Sequence, residues 1–157
     1  HRPSNVDSIA ALRSILGAVS KISQELDIYF AVHPRTRQRI DEIAGELDDR
    51  IRYLDPMGYR DFLGLMDNAA VVLTDSGGIQ EETSVLGVPC LTLRSTTERP
   101  ITCSMGTNRV VGTEPAQIVA AANDAMATAR RETSIPLWDG QAAVRIADVL
   151  LRDLATP

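Results

Sequence analysis

Val71-Val72-Leu73-Thr74-Asp75-Ser76-Gly77-Gly78-Ile79-Gln80-Glu81-Glu82 is an apolar, β-branched run that stops at a polar residue and two glycines and resumes as helix-compatible sequence. It reads as a strand, a tight turn and a helix N-terminus. The first N–H groups of a helix lack partners within the helix. The aligned peptide dipoles make that end favourable for an anion, typically a phosphate. Glycine at 77 and 78 removes Cβ and lets the backbone approach a ligand. The same residues equally suit an ordinary turn, with Ser76 as N-cap and the glycines there for tightness.

Outward from this stretch, apolar runs alternate with amphipathic ones. Ile9, Leu12, Ile15, Leu16, Val19 and Ile22 recur at helical spacing within residues 6–26, with Ser4 or Asn5 as the expected cap. Residues 28–33 and 51–55 read as strands ending at Pro34 and Pro56, and residues 37–47 as a polar surface helix between them. A helix over 58–68 precedes the strand 69–73. The stop Gly87-Val88-Pro89 precedes the strand 90–93, and a last strand covers 109–111. Helices over 114–131 and 141–154 close the chain, with Trp138 as a possible anchor for the second, and residues 94–108 read as irregular. Strands alternating with helices imply an α/β fold with a parallel sheet. In such sheets ligands bind beyond the carboxyl ends of the strands. The residues expected there are His33, Asp55, Asp75, Ser76 and Arg94.

The 157 residues suit one domain, and a 44% hydrophobic content is ordinary for a globular chain. A net charge of −5 argues against nucleic acid or an anionic membrane as partner. No apolar run approaches the roughly 20 residues that cross a bilayer. Cys90 and Cys103 form neither a disulfide framework nor a metal spacing, and are expected to be reduced thiols in a cytoplasmic protein, with Cys90 in the core. The chain opens at His1-Arg2-Pro3-Ser4-Asn5 without Met, as if cut from something longer or carrying a tag remnant.

Other candidates have competing readings. If Ile79 and Leu86 share the buried stripe of the helix after Ser76, Glu82 lies beside that stripe and Glu81 on the far side. A carboxylate in that position needs donors, which ribose hydroxyls or an internal salt bridge would supply. Arg99, in the segment Arg94-Ser95-Thr96-Thr97-Glu98-Arg99-Pro100, suits a bidentate contact with a diphosphate, or a surface pair with Glu98. His33 is either a hydrogen-bonded strand-end residue or a ligand contact. Arg35 and Arg37 read as solvated helix-start charges.

The motifs His1-Arg2, His33-Pro34, Asp55-Pro56, residues 74–82, Gly87-Val88-Pro89, Thr97-Glu98-Arg99-Pro100, Gly106-Thr107, Val111-Gly112-Thr113 and Asp139-Gly140, taken together and in order, resemble the non-hydrolysing UDP-N-acetylglucosamine 2-epimerases. The resemblance spans almost the whole chain but only the C-terminal half of the family's pattern. It implies that residues 1–157 form a C-terminal, UDP-binding, Rossmann-like domain with a three-layer parallel sheet, one half of a glycosyltransferase B-type two-domain fold. The N-terminal domain, a partner absent from this chain, supplies carboxylates for acid–base chemistry in that family.

The implied reaction interconverts UDP-N-acetylglucosamine and UDP-N-acetylmannosamine by elimination and re-addition of UDP, with no redox cofactor and no metal. By position Ser76, Gly77 and Gly78 hold the diphosphate, Glu82 the ribose and Arg99 a phosphate oxygen. His1 lies near the reacting sugar as a catalytic residue, and Arg2 and His33 help hold a second, regulatory UDP-sugar in some members. Homo-oligomers are common in the family. The chain departs from many members at Pro3-Ser4 and at Ile101-Thr102, which puts the sugar and the allosteric control in question. Two other readings stay open: the donor domain of a glycosyltransferase, and a UDP-sugar-binding module without catalysis.

Overall fold

Helices and strands alternate as the apolar pattern requires, in a computed structural model that describes residues 2–46 and 48–155. The order is α1 (Pro3–Val6), α2 (Ile9–Ile22), β1 (Ile28–Ala31), α3 (Pro34–Asp41), a short 3-10 turn (Ala44–Glu46), β2 (Ile51–Leu54), α4 (Tyr59–Asp67) and β3 (Val72–Thr74). Then come α5 (Gly77–Leu86), β4 (Cys90–Thr92), α6 (Pro100–Ser104), β5 (Asn108–Val110), α7 (Pro115–Met126) and α8 (Ala142–Ala155).

All strand pairs are parallel. β1 pairs with β2, Ile28 opposite Ile51, and β4 pairs with both β3 and β5, Thr92 lying between Thr74 and Val110. The ladder is divided into one sheet of two strands and one of three. Side chains make the join. Ile28 of β1 packs on the same apolar cluster as Val71, Leu73 and buried Leu91.

The central strand β4 shows how the layers arise. Successive side chains of a strand point to opposite faces. Leu91 and Leu93 join Ala18 and Ile22 of α2 and Ile118, Ala121, Ala122 and Ala125 of α7 in one core. Full burial of each large aliphatic side chain contributes about 2 kcal/mol. Cys90 and Thr92 alternate with these leucines, and Thr92 bonds to Asn108 on the side of α5 and α6. A second cluster, of Val6, Leu12, Leu16, Val32, Ile40 and Ile43, fastens α1, α2 and α3 to β1. This is the α/β parallel arrangement expected from the sequence.

Several boundaries differ from the sequence reading. The first long helix is interrupted at Asp7, and its cap is Ser8, whose Oγ accepts the Ala11 N–H; neither Ser4 nor Asn5 plays that part. Pro34 opens α3 instead of merely ending a strand, because proline suits the first helical position. Residues 94–108 are not wholly irregular, since Pro100 starts α6 and Asn108 starts β5. α5 ends at Gly87, whose φ of 70° suits glycine, and a Cβ there would strike the Arg131 carbonyl.

α8 is amphipathic, yet Val144, Ile146, Val149, Leu150, Leu151 and Leu154 are exposed. Trp138 is 37% exposed. No helix among the described residues is long and apolar enough to cross a membrane.

Candidate functional site

α5 begins where β3 ends, and its first two residues are glycines. Ser76 occupies the N-cap position in extended conformation but makes no side-chain cap bond; its own N–H is taken by Thr74 Oγ1 at 3.0 Å. The ordinary Ser-capped turn is therefore not what forms. A Cβ built on Gly78 would meet nothing within 4 Å, so the space before the helix is open there.

The other face of α5 explains how this end is held rigid. Its buried residues are Gln80, Thr83 and Ser84, not the expected Ile79 and Leu86, which are half-buried. Polar side chains are tolerated there because each is paired. Thr83 Oγ1 donates to the Ile79 carbonyl and Ser84 Oγ to that of Gln80, both at 2.7 Å. Gln80 Nε2 donates to the Ser76 carbonyl at 3.1 Å. Its Oε1 accepts from Thr97 at 2.5 Å and from Asn108 Nδ2 at 3.0 Å. Asn108 Nδ2 also reaches Thr102 Oγ1 at 3.0 Å, and Thr97 Oγ1 accepts the Arg99 N–H at 2.9 Å. One buried glutamine thus ties the start of α5 to the segment that carries Glu98 and Arg99.

That segment meets a third one from the beginning of the chain. Arg2 donates its backbone N–H to Asp75 Oδ2 at 2.9 Å, and Nε reaches the Asp75 carbonyl at 3.4 Å. Asn5 Nδ2 bridges Asp75 Oδ2 at 3.3 Å and the Leu93 carbonyl at 2.9 Å. Arg2 Nη2 lies 3.0 Å from Glu98 Oε1, and Arg94 Nη1 lies 2.7 Å from Glu98 Oε2. Arg99 Nε lies 2.8 Å from Glu81 Oε1 without an aligned hydrogen bond, and its Nη1 reaches the Glu98 carbonyl at 3.4 Å. The expected side-chain pair between Glu98 and Arg99 does not form. Glu82 is half-buried and has no hydrogen-bond or ion-pair partner among the described residues.

The structure thus brings together Arg2, Ser76, Gly77, Gly78 and Arg99, with Glu82 one position beyond the Glu81–Arg99 pair. It also brings in Arg94, expected on the ligand edge from its place at a strand end, and adds Glu98, to which the sequence reading gave no site role. His33 sits elsewhere, exposed, as N-cap of α3, its Nδ1 accepting the Arg35 N–H at 3.2 Å. Arg35 is paired with Asp7 at 2.7 Å and Arg37 with Asp55 at 2.9 Å, so both start-of-helix charges are engaged rather than merely solvated. His1 lies outside the described residues.

Two surface hollows lie at the opposite ends of the strands: one around Gln24, Asp27, Asp49 and Arg52, the other around Pro89, Arg109, Asp124 and Arg131. Neither is lined by residues 76–82. The candidate site lies away from both, at the carboxyl ends of β3 and β4. Among the described residues no group of His, Cys, Asp and Glu is placed to hold a metal ion.

Residues 1–151 match the family model for UDP-N-acetylglucosamine 2-epimerase. The chain belongs to that family. A relative of that name from Methanocaldococcus jannaschii is 38% identical over 156 residues, which cover 96% of this chain and 42% of that protein. A Pseudomonas aeruginosa relative, UDP-2,3-diacetamido-2,3-dideoxy-D-glucuronate 2-epimerase, is 33% identical over 97% of this chain and 43% of its own length. The crystal structure of the M. jannaschii UDP-GlcNAc 2-epimerase in complex with UDP-GlcNAc and UDP superposes with a TM-score of 0.87 at 36% identity, over 97% of this chain and 43% of that one. The chain therefore spans less than half the length of these 2-epimerases, and its fold is that of their Rossmann-like part.

Proposed function

We propose that this chain is the UDP-binding domain of a 2-epimerase that interconverts UDP-N-acetylglucosamine and UDP-N-acetylmannosamine by eliminating UDP and adding it back. The observation that carries this reading is the uncapped, glycine-lined start of α5, faced by arginines, in a member of the 2-epimerase family. Family membership favours epimerisation over glycosyl transfer.

In this reading the first N–H groups of α5, at Gly77 and Gly78, receive the diphosphate, and Ser76, whose N–H is held by Thr74, adds its uncommitted hydroxyl. Departure of UDP concentrates negative charge on that diphosphate, and a fixed helix end with nearby guanidinium groups stabilises the charge without reorganisation. Arg99 exchanges Glu81 for a phosphate oxygen. Glu82, half-buried and without a partner among the described residues, accepts the ribose hydroxyls. His1 belongs near the reacting sugar, and His33 to a second nucleotide contact away from α5.

The sugar is a separate matter from the UDP. Two relatives of similar identity are named for different sugars. What this chain holds is the part those substrates share, and the sugar is chosen by groups outside it. We infer that the exposed apolar face of α8 is covered by the remainder of the enzyme, so the 157-residue chain binds UDP weakly and does not epimerise by itself.

Calorimetry with UDP on the wild-type chain and on Arg99→Ala tests the site. Heat of binding in the wild type that falls at least tenfold in affinity in the variant supports it. Equal affinity in the two, or none in either, removes it.

A further inference from the structure

The proposed diphosphate site already holds an anion of its own. Glu98 Oε1 lies 3.2 Å from where a Cβ on Gly77 would stand, with Glu98 Cδ at 3.8 Å. The carboxylate is therefore packed against the opening residue of a 10-residue helix that has no side-chain cap. Each of its oxygens takes one arginine, Arg2 from the start of the chain and Arg94 from the end of β4. Two guanidinium groups converging with a helix N-terminus on one planar anion is the arrangement that binds a phosphate.

We propose that Glu98 is an internal stand-in for a phosphate: it keeps Arg2 and Arg94 gathered in front of Gly77, and a nucleoside diphosphate binds by displacing it and taking over both arginines. The inference rests on the UDP reading above and extends it to two further phosphate ligands and a competitor.

The geometry suits an exchange. The Glu98 side chain is 42% exposed and Arg2 40%, so that pair is open to water and costs little to break, while Arg94, 18% exposed, is the more sheltered partner. The backbone on either side is anchored by Thr97 to Gln80 and by the Arg99 N–H to Thr97, so the carboxylate can swing out while the segment stays in place. A diphosphate brings more negative charge than one carboxylate and has oxygens enough for both arginines and the helix end. Asp75, the other acid nearby, is occupied by the Arg2 N–H and the Asn5 amide. While Glu98 is in place, it also spares the arginines the repulsion of an empty site.

Calorimetric titration of UDP into the wild-type chain, Glu98→Gln and Arg94→Ala, with thermal melts to confirm that each is folded, tests the exchange. Glutamine keeps the size of the side chain and removes the competing charge. The expected result is UDP affinity at least threefold tighter than wild type in Glu98→Gln and at least tenfold weaker in Arg94→Ala. UDP binding to the wild type with Glu98→Gln equal or weaker overturns the exchange and leaves the UDP site standing. UDP binding that is insensitive to Arg94→Ala removes that arginine as a phosphate ligand, and the exchange with it. Absence of UDP binding in all three folded proteins overturns the UDP site and the exchange together.

Discussion

Helices α3 and α5 each follow the carboxyl end of a parallel strand, yet their amino ends are finished in opposite ways. α3 closes itself. Pro34 at its first position has no N–H to satisfy, and His33 Nδ1 accepts the Arg35 N–H. α5 begins with two glycines, has no side-chain cap, and has a carboxylate from elsewhere in the chain lodged at its mouth. A helix that satisfies its own end has no electrostatic need of a ligand. α5 leaves its end bare and is braced from behind by buried Gln80, and in the proposed reading that end meets the diphosphate.

The largest expected effect tests that bracing. Gln80→Ala strips Thr97 and Asn108 of a buried acceptor, so it is expected to cost about 2–3 kcal/mol in urea unfolding and to weaken UDP binding as Arg99 loses its anchorage. Gln38→Ala on the exposed side of α3 is expected to change stability by less than about 0.5 kcal/mol. Similar small losses in both would mean that the buried network does not brace α5.

Next in size is an effect on binding alone. Gly78→Ala adds a methyl group where nothing stands within 4 Å, at a helical position where alanine is better than glycine by up to about 1 kcal/mol. The fold is expected to be as stable or more so, while UDP affinity drops about tenfold, or 1.4 kcal/mol. Unchanged affinity would show that the diphosphate does not approach this backbone.

A paired measurement then compares the two helix ends directly. His33→Ala removes a cap and is expected to lower stability by about 1 kcal/mol without altering UDP affinity at α5. Ser76→Ala removes no cap bond and is expected to leave stability within about 0.5 kcal/mol. Equal losses from the two substitutions would erase the contrast.

The smallest effect is a titration. The Glu98 carboxyl is held below the usual carboxylate range by its own backbone N–H and by the Arg94 guanidinium. Because the folded-state value is lowered, the linked stabilisation is complete above the ordinary carboxylate range and fades as pH falls through the depressed value. Carbon-detected nuclear magnetic resonance is expected to show the Glu98 carboxyl titrating below free glutamate, and rising toward it in Arg94→Ala. A normal value in both would show that the ion pair does not persist in solution.

Much of this was legible along the chain. The turn at 75–78, the strand at 90–92 and the stop at Gly87 each depend on neighbouring residues, and local chemistry declares them. Helical spacing favours Glu82 over Glu81 only on the premise that apolar Ile79 and Leu86 form the buried stripe, and the structure replaces that stripe with Gln80, Thr83 and Ser84, each buried because its polar groups find partners. Such pairing cannot be read from hydropathy. Nor does sequence spacing tell that Glu98 prefers Arg2 and Arg94 to adjacent Arg99.

By itself the amino-acid sequence determined that β3 is followed by a glycine-lined helix start, that strands and helices alternate into a parallel α/β fold, and that its motifs belong together in one family. These follow from backbone preferences and side-chain periodicity over a few residues. Only the tertiary structure decided which charges meet at that helix start. Arg2 and Glu98 are brought together from 96 positions apart and Asn5 and Leu93 from 88, because α1 is packed by Val6 against the core while β4 ends beside β3. Charges are paired by where packing places them, and packing is a property of the whole chain.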